Sequence, residues 1–490
     1  MHADTDCQRI ITHDSLSNDL PPLAVDLDGT LTRSDTLHEG FIGCVRAQPL
    51  AVFNLRYALK QGKAAFKREV VQRIGFDASL LPYNEEVVEF LRAQKRAGRR
   101  IGLFTAADQS IADAVAEHLQ IFDVARGSDG YTNLSGAAKT QAIKEVFGDR
   151  FCYAGDGQVD QPIFAEAERV VLVGQTDRLK AGLANRDSIE AEFPVRRAGL
   201  GVWLKAFRLQ HWVKNTLIFI APVLSFQIAS PAVAAQATLL FVLMGIIASA
   251  TYLINDMVDL PADRQHPRKR FRPFASGAIP VRDGCLAAAG LLAAAFAIGL
   301  LVLPWASVAV LATYLAVTLA YSFFLKKQAI IDVFILAGLF TVRVIAGSTL
   351  VPAQASPWLL TFSMLFFLGL AMVKRYAELA RVLRTGGTEV ASRGYTAKDL
   401  PLLLAAGVAA GFGAIMIFTT YLINEHYPLG LYARPSFLWG MMPIILIWTL
   451  RVWHLTVHGR MDEDPVVFAL KDRFSLGLGV LTLLILLAAW

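Results

Sequence analysis

Charge is scarce in this 490-residue chain: 18% of its residues are Asp, Glu, Lys or Arg, whereas 54% are hydrophobic. A soluble domain usually carries about a quarter charged residues, so a uniformly soluble protein is excluded. Cysteine is scarce too, limited to Cys7, Cys44, Cys152 and Cys285. These show no CxxC pairing and no metal-ligand spacing, which argues against a disulfide framework or a zinc site and for reduced, structural thiols. Residues 1–20 contain no apolar stretch of the signal-peptide kind and read as a disordered lead. The domain behind them is expected to stay in the cytosol. No internal repeat of the sort found in many transporters is evident.

The apolar residues are unevenly placed. Over residues 21–195 apolar and charged stretches alternate, as in a globular domain, and 196–214 read as a linker or interfacial segment. Long apolar runs dominate from 215 to 490. A run of about 20 such residues crosses a bilayer as a helix. Nine candidates lie near 215–230, 234–254, 284–303, 305–324, 330–350, 356–373, 401–423, 436–456 and 473–490, with weak breaks near 300–306 and 325–330 that leave eight as the alternative.

The net charge of +6 is compatible in principle with nucleic acid or anionic lipid, and its distribution points to the membrane. Lys and Arg crowd alternate short loops instead of forming one solvated stripe. Nucleic acid is therefore not expected as a partner. The lysine and arginine bias places every charged loop on one face with the N-terminal domain, the cytosolic face of the membrane.

One such loop follows the second apolar run. Asn255-Asp256-Met257-Val258-Asp259 is followed by Asp263, and a continuous helix would put the three acids on one face. Like charges there repel unless a cation sits among them, and Mg²⁺ favours oxygen ligands shared with a substrate's phosphates. The basic run from Arg264, including Arg268 and Arg272, is suited to phosphate oxygens. Arg343 falls within an apolar run, where a charge is costly unless paired or facing a cavity. Asp332 lies about three helical turns earlier, too far to pair with it directly. Each is expected to meet substrate, metal or another helix.

The NDxxDxxxD pattern resembles the UbiA-type prenyltransferase superfamily. Further stretches are similar to its decaprenyl-phosphate phosphoribosyltransferase branch: Arg208 to Lys214 and Asn215, Tyr321 to Lys326, Arg343 to Gly347, and Lys374-Arg375-Tyr376-Ala377-Glu378. That resemblance implies an all-α polytopic fold, phosphoribosyl diphosphate as donor and polyprenyl phosphate as acceptor. It also implies Mg²⁺ on Asn255, Asp256, Asp259 and Asp263, with Lys214, Asn215, Arg268, Arg272, Tyr321, Lys326, Arg343, Lys374 and Arg375 as substrate-binding candidates. Quinone-pathway relatives carry a second acid-rich motif where this chain reads Lys-Arg-Tyr-Ala-Glu, which favours a more anionic substrate.

The soluble half carries its own pattern. Ala24-Val25-Asp26-Leu27-Asp28-Gly29-Thr30 is a short apolar strand running into a turn. Another strand ends at Thr105, Lys139 precedes a helical stretch, and Tyr153-Ala-Gly-Asp156 leads to Asp160. DxDGT, Thr, Lys and GDxxxD in this order resemble the haloacid dehalogenase-like phosphatases. That resemblance implies a Rossmann-like α/β domain with a small helical cap over about 35–81. It assigns Asp26 as nucleophile, Asp28 as general acid and base, Thr105 and Lys139 as phosphoryl-binding residues, and Asp26, Asp28, Asp156 and Asp160 as the Mg²⁺ site. His38 and His211 have no partners at metal spacing and read as satisfied polar groups.

The expectation is therefore a bifunctional enzyme, with phosphoribosyl transfer followed by removal of the 5-phosphate. Two alternatives stay open at this point. One is a prenyltransferase acting on an aromatic or other small acceptor beside an independent phosphatase or pyrophosphatase; the other is a membrane scaffold or transporter with a regulatory phosphatase domain. Lipid chain length and oligomeric state are not legible.

Overall fold

A computed structural model describes residues 20–48, 52–183, 185–195, 198–351, 356–384, 386–387, 389–390, 393–426, 432–461 and 464–489. The lead read as disordered lies outside these, apart from Leu20. The chain forms two compact units, Met1–Trp203 with Asp256–Cys285, and Leu204–Asn255 with Leu286–Trp490.

In the first unit six strands form one sheet: β1 (Leu23–Val25), β2 (Ile101–Asp108), β3 (Val124–Ser128), β4 (Cys152–Gly155), β5 (Arg169–Gly174) and β6 (Ile189–Pro194). Their order is β3-β2-β1-β4-β5-β6, and every pairing is parallel. The strands read as apolar runs because both faces are covered. Leu23, Val25, Leu103 and Val171 sit in one core layer and Ala24, Phe104, Tyr153 and Leu172 in the other. The strand order reverses beside β1, and in such sheets ligands bind beyond the carboxyl ends of the strands at that point.

Between β1 and the helix α4 (Glu85–Arg96) the chain inserts α1 (Thr36–Ala47), α2 (Val52–Gln61) and α3 (Lys63–Ile74), in the segment expected to be a helical cap. These helices have a small core of their own around Cys44, Leu55 and Val70. Asp35 caps α1, its carboxylate accepting from His38 N at 3.0 Å. The shorter helices α5 (Gln109–Leu119), α6 (Ala137–Phe147), α7 (Gln161–Glu166) and α8 (Thr176–Lys180) follow the later strands.

Next come α9 (Leu200–Phe207), α10 (Ile220–Leu224), α11 (Pro231–Val258), α12 (Leu260–Gln265), α13 (Val281–Val302), α14 (Trp305–Phe323), α15 (Ile331–Ser348), α16 (Pro357–Arg384) and α17 (Leu400–Tyr421). The last three are α18 (Met441–Val457), α19 (Pro465–Lys471) and α20 (Arg473–Ala489). Among the described residues seven helices are long and apolar enough to cross a membrane, or eight if α19 and α20, bent by 82°, count as one span. The chain is a multi-pass membrane protein.

This corrects the expected nine. The candidate at 215–230 is not one helix: 3₁₀ turns over Leu209–Phe219 lead into the five-residue α10, and Phe226 is left-handed at φ 58°. Pro222, within α10, lacks the N–H that a continuous helix needs. The last candidate, 473–490, corresponds to α20, a 17-residue helix bent by 82° from α19 at Asp472, whose carboxylate accepts from Ser475 N and binds Arg451. The sixth apolar run extends as helix to Arg384, well past Lys374.

Buried charge ties α15 to α16. Asp332, fully buried, pairs with Arg375 and accepts from Tyr395 Oη at 2.5 Å. Arg375 also binds Glu378 at 2.5 Å and Tyr321 Oη at 3.0 Å. Removing one partner of a buried pair strands the other charge and costs about 3–5 kcal/mol, whereas replacing both by apolar residues is often neutral. Asp332→Leu should therefore lower the melting temperature of the purified protein in detergent, and adding Arg375→Leu should recover part of that loss. Two additive losses would show that the charges act separately.

Candidate functional site

The β1–β4 register sets Val25 opposite Ala154, so Asp26, one residue on, and Asp156, two residues on, emerge close together. Asp26 N donates to Ala154 O at 3.0 Å, and its carboxylate accepts from Leu27 N at 2.8 Å. Lys139, buried on α6, lies 3.0 Å from Asp26 and 3.7 Å from Asp160. It also meets Tyr153 Oη at 3.1 Å, and that hydroxyl bonds Asp160 at 3.0 Å. Gly29 has φ +79°, and a Cβ there would lie 2.1 Å from Asp156 Oδ2, so only glycine fits this turn.

Carboxylate oxygens of Asp26, Asp156 and Asp160 all lie within 4.8 Å of one another. Among the described residues this is the one acid trio close enough to share a metal. Three carboxylates against one ammonium leave surplus negative charge. Burial, with the neighbouring Asp26 and Asp160, pushes Asp156 up to about 8. Burial raises Asp26 as well, against the pull of Lys139. Hard oxygen donors with excess charge fit Mg²⁺.

Asp28 stands apart from the trio. Its carboxylate accepts from Thr36 N at 2.8 Å and Thr36 Oγ1 at 3.2 Å, at the start of α1. Burial and then Asp35 push it up to about 7. That environment suits a proton donor better than the metal ligation expected of its side chain. Thr105 is fully buried, and its Oγ1 accepts from Ala107 N at 3.0 Å. Lys67 of α3, which the sequence did not single out, donates to Ala106 O at 2.6 Å and to Asn133 Oδ1 at 2.7 Å.

The acids of the second motif do not share one helix face. Helix α11 ends at Val258, Asp259 has φ −92° and ψ 8°, and α12 restarts at Leu260 with Pro261 in its first turn. A proline here cannot donate into the preceding turn. Asp256 and Asp263, both buried, still converge: Arg272 Nη1 donates to them at 3.2 and 2.6 Å. Asp259 is half-buried and Arg268 exposed. Asn255, in the second unit, accepts from buried Lys326 at 3.5 Å.

The second unit gathers cations. Lys214 and Lys374 lie 2.8 and 3.1 Å from Asp464, the residue capping α19. Arg343, buried, donates to Asn215 Oδ1 at 2.9 Å, to Tyr314 Oη at 3.0 Å and to Leu339 O. Lys214 Nζ and the Arg343 guanidinium approach the same ring, Phe340, at 5.3 and 5.6 Å. Asn215 Nδ2 and His211 Nδ1 are buried with no hydrogen-bond partner among the described residues. His211 is therefore not the satisfied group expected. Arg375 and Tyr321, expected to bind substrate, belong instead to the Asp332 network.

The sequence model of the UbiA prenyltransferase family matches residues 216–487, more than half of the chain. The chain belongs to the UbiA prenyltransferase family. The match to an uncharacterized Sinorhizobium fredii protein, y4nM, runs through both halves: 38% identity over 474 residues, 94% of this chain and 89% of that one. Over the C-terminal half the chain is 35% identical to a Mycolicibacterium smegmatis decaprenyl-phosphate phosphoribosyltransferase, across 55% of this chain and 86% of the relative. The nodulation protein NoeC of Azorhizobium caulinodans is 31% identical over 56% of this chain and 88% of its own length. UbiA membership makes the membrane unit a transferase and accounts for the acid motif at the end of α11. It does not account for the trio in the parallel-sheet unit.

Mg²⁺ entering that trio must displace the proton that burial retains on Asp156. Below about pH 8 the proton is bound, so metal affinity should rise with pH, by up to about tenfold per unit for one proton released. Calorimetric titration of the full-length protein with Mg²⁺ at several pH values checks this, with Asp156→Asn identifying the site's share. A pH-independent affinity would contradict it.

Proposed function

We propose that the chain is a bifunctional, Mg²⁺-dependent membrane enzyme. Its UbiA-type half transfers 5-phosphoribose from phosphoribosyl diphosphate to a polyprenyl phosphate. Its N-terminal half, a haloacid dehalogenase-like phosphatase, removes the 5-phosphate and leaves polyprenyl-phosphoryl-ribose. In this reading both sites face the cytosol, at a bacterial inner membrane.

The observation that carries the transfer reading is the cation cluster of Lys214, buried Arg343 and partly exposed Lys374, whose nearby carboxylate among the described residues is Asp464. Buried charge is costly unless compensated, and orphaned polar atoms of Asn215 and His211 lie beside these residues in the chain. A phosphorylated ligand such as a polyprenyl phosphate satisfies these groups. The likeness to decaprenyl-phosphate phosphoribosyltransferases over the same half supports the same choice.

In this scheme an oxygen of the polyprenyl phosphate attacks the anomeric carbon of the donor. The bond from that carbon to the diphosphate oxygen breaks, and the electron pair leaves with diphosphate. Lys214, Lys374 and Arg343 hold acceptor phosphoryl oxygens. Arg272, braced by Asp256 and Asp263, meets the departing diphosphate. Asn255, Asp259, Arg268 and Lys326 are further candidates for contact with phosphate or metal in this reading.

In the phosphatase half a carboxylate oxygen of Asp26 attacks phosphorus, and the bond from phosphorus to the sugar oxygen breaks. Asp28 donates its proton to the leaving alkoxide, then takes one from the water that hydrolyses the aspartyl phosphate. Lys139 and Thr105 hold phosphoryl oxygens, and Asp160, already bonded to Tyr153 and Lys139, steadies the cluster. Mg²⁺ bound at the acid sites would offset the repulsion between carboxylates and phosphates.

Purified wild type and Asp26→Asn, each given labelled phosphoribosyl diphosphate and polyprenyl phosphate, test both steps. The wild type should yield lipid-linked ribose, and the variant the same lipid heavier by one phosphate by mass spectrometry. Label that stays water-soluble would refute the transfer. Identical products from both proteins would refute the phosphatase step.

A further inference from the structure

The acid trio opens onto a cleft of about 720 Å³ within the first unit. Asp156, Arg33, Arg178, Gly277, Trp203 and Asp283 are among the residues that line it. A cleft of that size takes a drug-sized ligand, more than a pentose phosphate alone requires. Arg33 follows directly on the DxDGT turn, and Arg178 lies on α8 after β5. Both are exposed, and neither is in an ion pair among the described residues. Arg33 is held at its base: its backbone N donates to Pro82 O at 3.0 Å. Gly277, at φ +72°, packs so closely that a Cβ there would lie 2.7 Å from Arg33 Cβ. The loop after the UbiA acid motif is thus a wall of the phosphatase cleft.

One phosphoryl group is accounted for at Asp26, Lys139 and Thr105. Two further guanidinium groups beside it have no such task. Guanidinium forks match phosphate oxygens in pairs and retain their charge at every working pH.

We propose that the cleft is a second phosphoryl subsite, in which Arg33 and Arg178 bind the phosphodiester of a lipid-linked phosphoribose while its 5-phosphate lies at Asp26. Trp203 offers the apolar surface for the first isoprene unit. Asp283, the lining acid besides Asp156, disfavours a ligand with more negative charge than this. The inference rests on the phosphatase reading above and names its substrate class: a phosphomonoester carrying a second, esterified phosphate.

The test is steady-state phosphate release by the full-length protein in detergent from three probes: ribose 5-phosphate, a short-chain prenyl-phosphoryl-ribose 5-phosphate, and inorganic pyrophosphate. The wild type should favour the diester probe over ribose 5-phosphate by at least about tenfold in kcat/KM, the size expected of charge-assisted phosphate contacts. In Arg33→Ala and Arg178→Ala that advantage should collapse, with the loss in KM and not in kcat. Equal use of the first two probes by the wild type would overturn the subsite. So would variants that leave the ratio intact, or a preference for pyrophosphate that the same variants abolish. Hydrolysis of none of the three would instead overturn the phosphatase reading itself.

Discussion

Like charges held together away from water need a counter-charge, and that constraint organises both units. In the parallel-sheet unit three carboxylates converge on one lysine. In the membrane unit two lysines share one aspartate, with a buried arginine facing the same phenylalanine as one of them. Among the described residues, the printed ion pairs leave both groups with an excess of one sign. The network of Arg375, Asp332, Glu378, Tyr321 and Tyr395 is different, because every charge there has an opposite charge at hydrogen-bond distance. Balance separates a charge that holds helices together from one that awaits a ligand. In the family's acid motif, Asp256 and Asp263 both pair with Arg272, a guanidinium that is itself partly exposed.

Much of the first unit was legible because its signals are local. A short apolar strand that ends in an acid places that acid at the carboxyl edge of a sheet, and two such strands that pair in register bring Asp26 and Asp156 together. The helical character of the inserted segment could be read from its length and composition. What the sequence could not reveal were partners brought by the fold. Lys214 and Asp464 are 250 residues apart, and Lys67 reaches Asn133 across 66. No period or spacing links such pairs. Asp464 left one trace: it directly precedes Pro465 at the start of α19, and an acid followed by proline is a common way for a helix to begin.

The membrane half was misread where hydropathy alone was the guide. A window of apolar residues reports that a segment tolerates lipid, not that it is a single helix. At 215–230 the run contains Asn215, Pro222 and a left-handed Phe226, and the backbone answers with 3₁₀ turns. At α11 the opposite simplification failed: the acid spacing assumed one helix, but Pro261 sits where the chain restarts. Convergence of Asp256 and Asp263 survives because α12 turns Asp263 back towards Arg272. That two of the three acids converge could be read from spacing even though the single helix face expected for them was wrong.

The first unit also explains why the loop after the acid motif folds with the parallel sheet. Arg264, the neighbour of Asp263, forms a two-pronged pair with Glu39 at 2.8 and 2.5 Å, largely shielded from solvent. Its Nε donates to Ala275 O at 3.0 Å, which ties the loop to itself. Glu39 lies in the first turn of α1, whose opening residue, Thr36, holds Asp28 through both its N–H and its hydroxyl. A helical turn moves as one body because its hydrogen bonds lock successive residues together. Thr36 and Glu39 therefore cannot shift independently. The contact that positions Asp28 and the contact that anchors Arg264 share one rigid turn, so Asp28 and the loop after the UbiA acid motif are set by the same element.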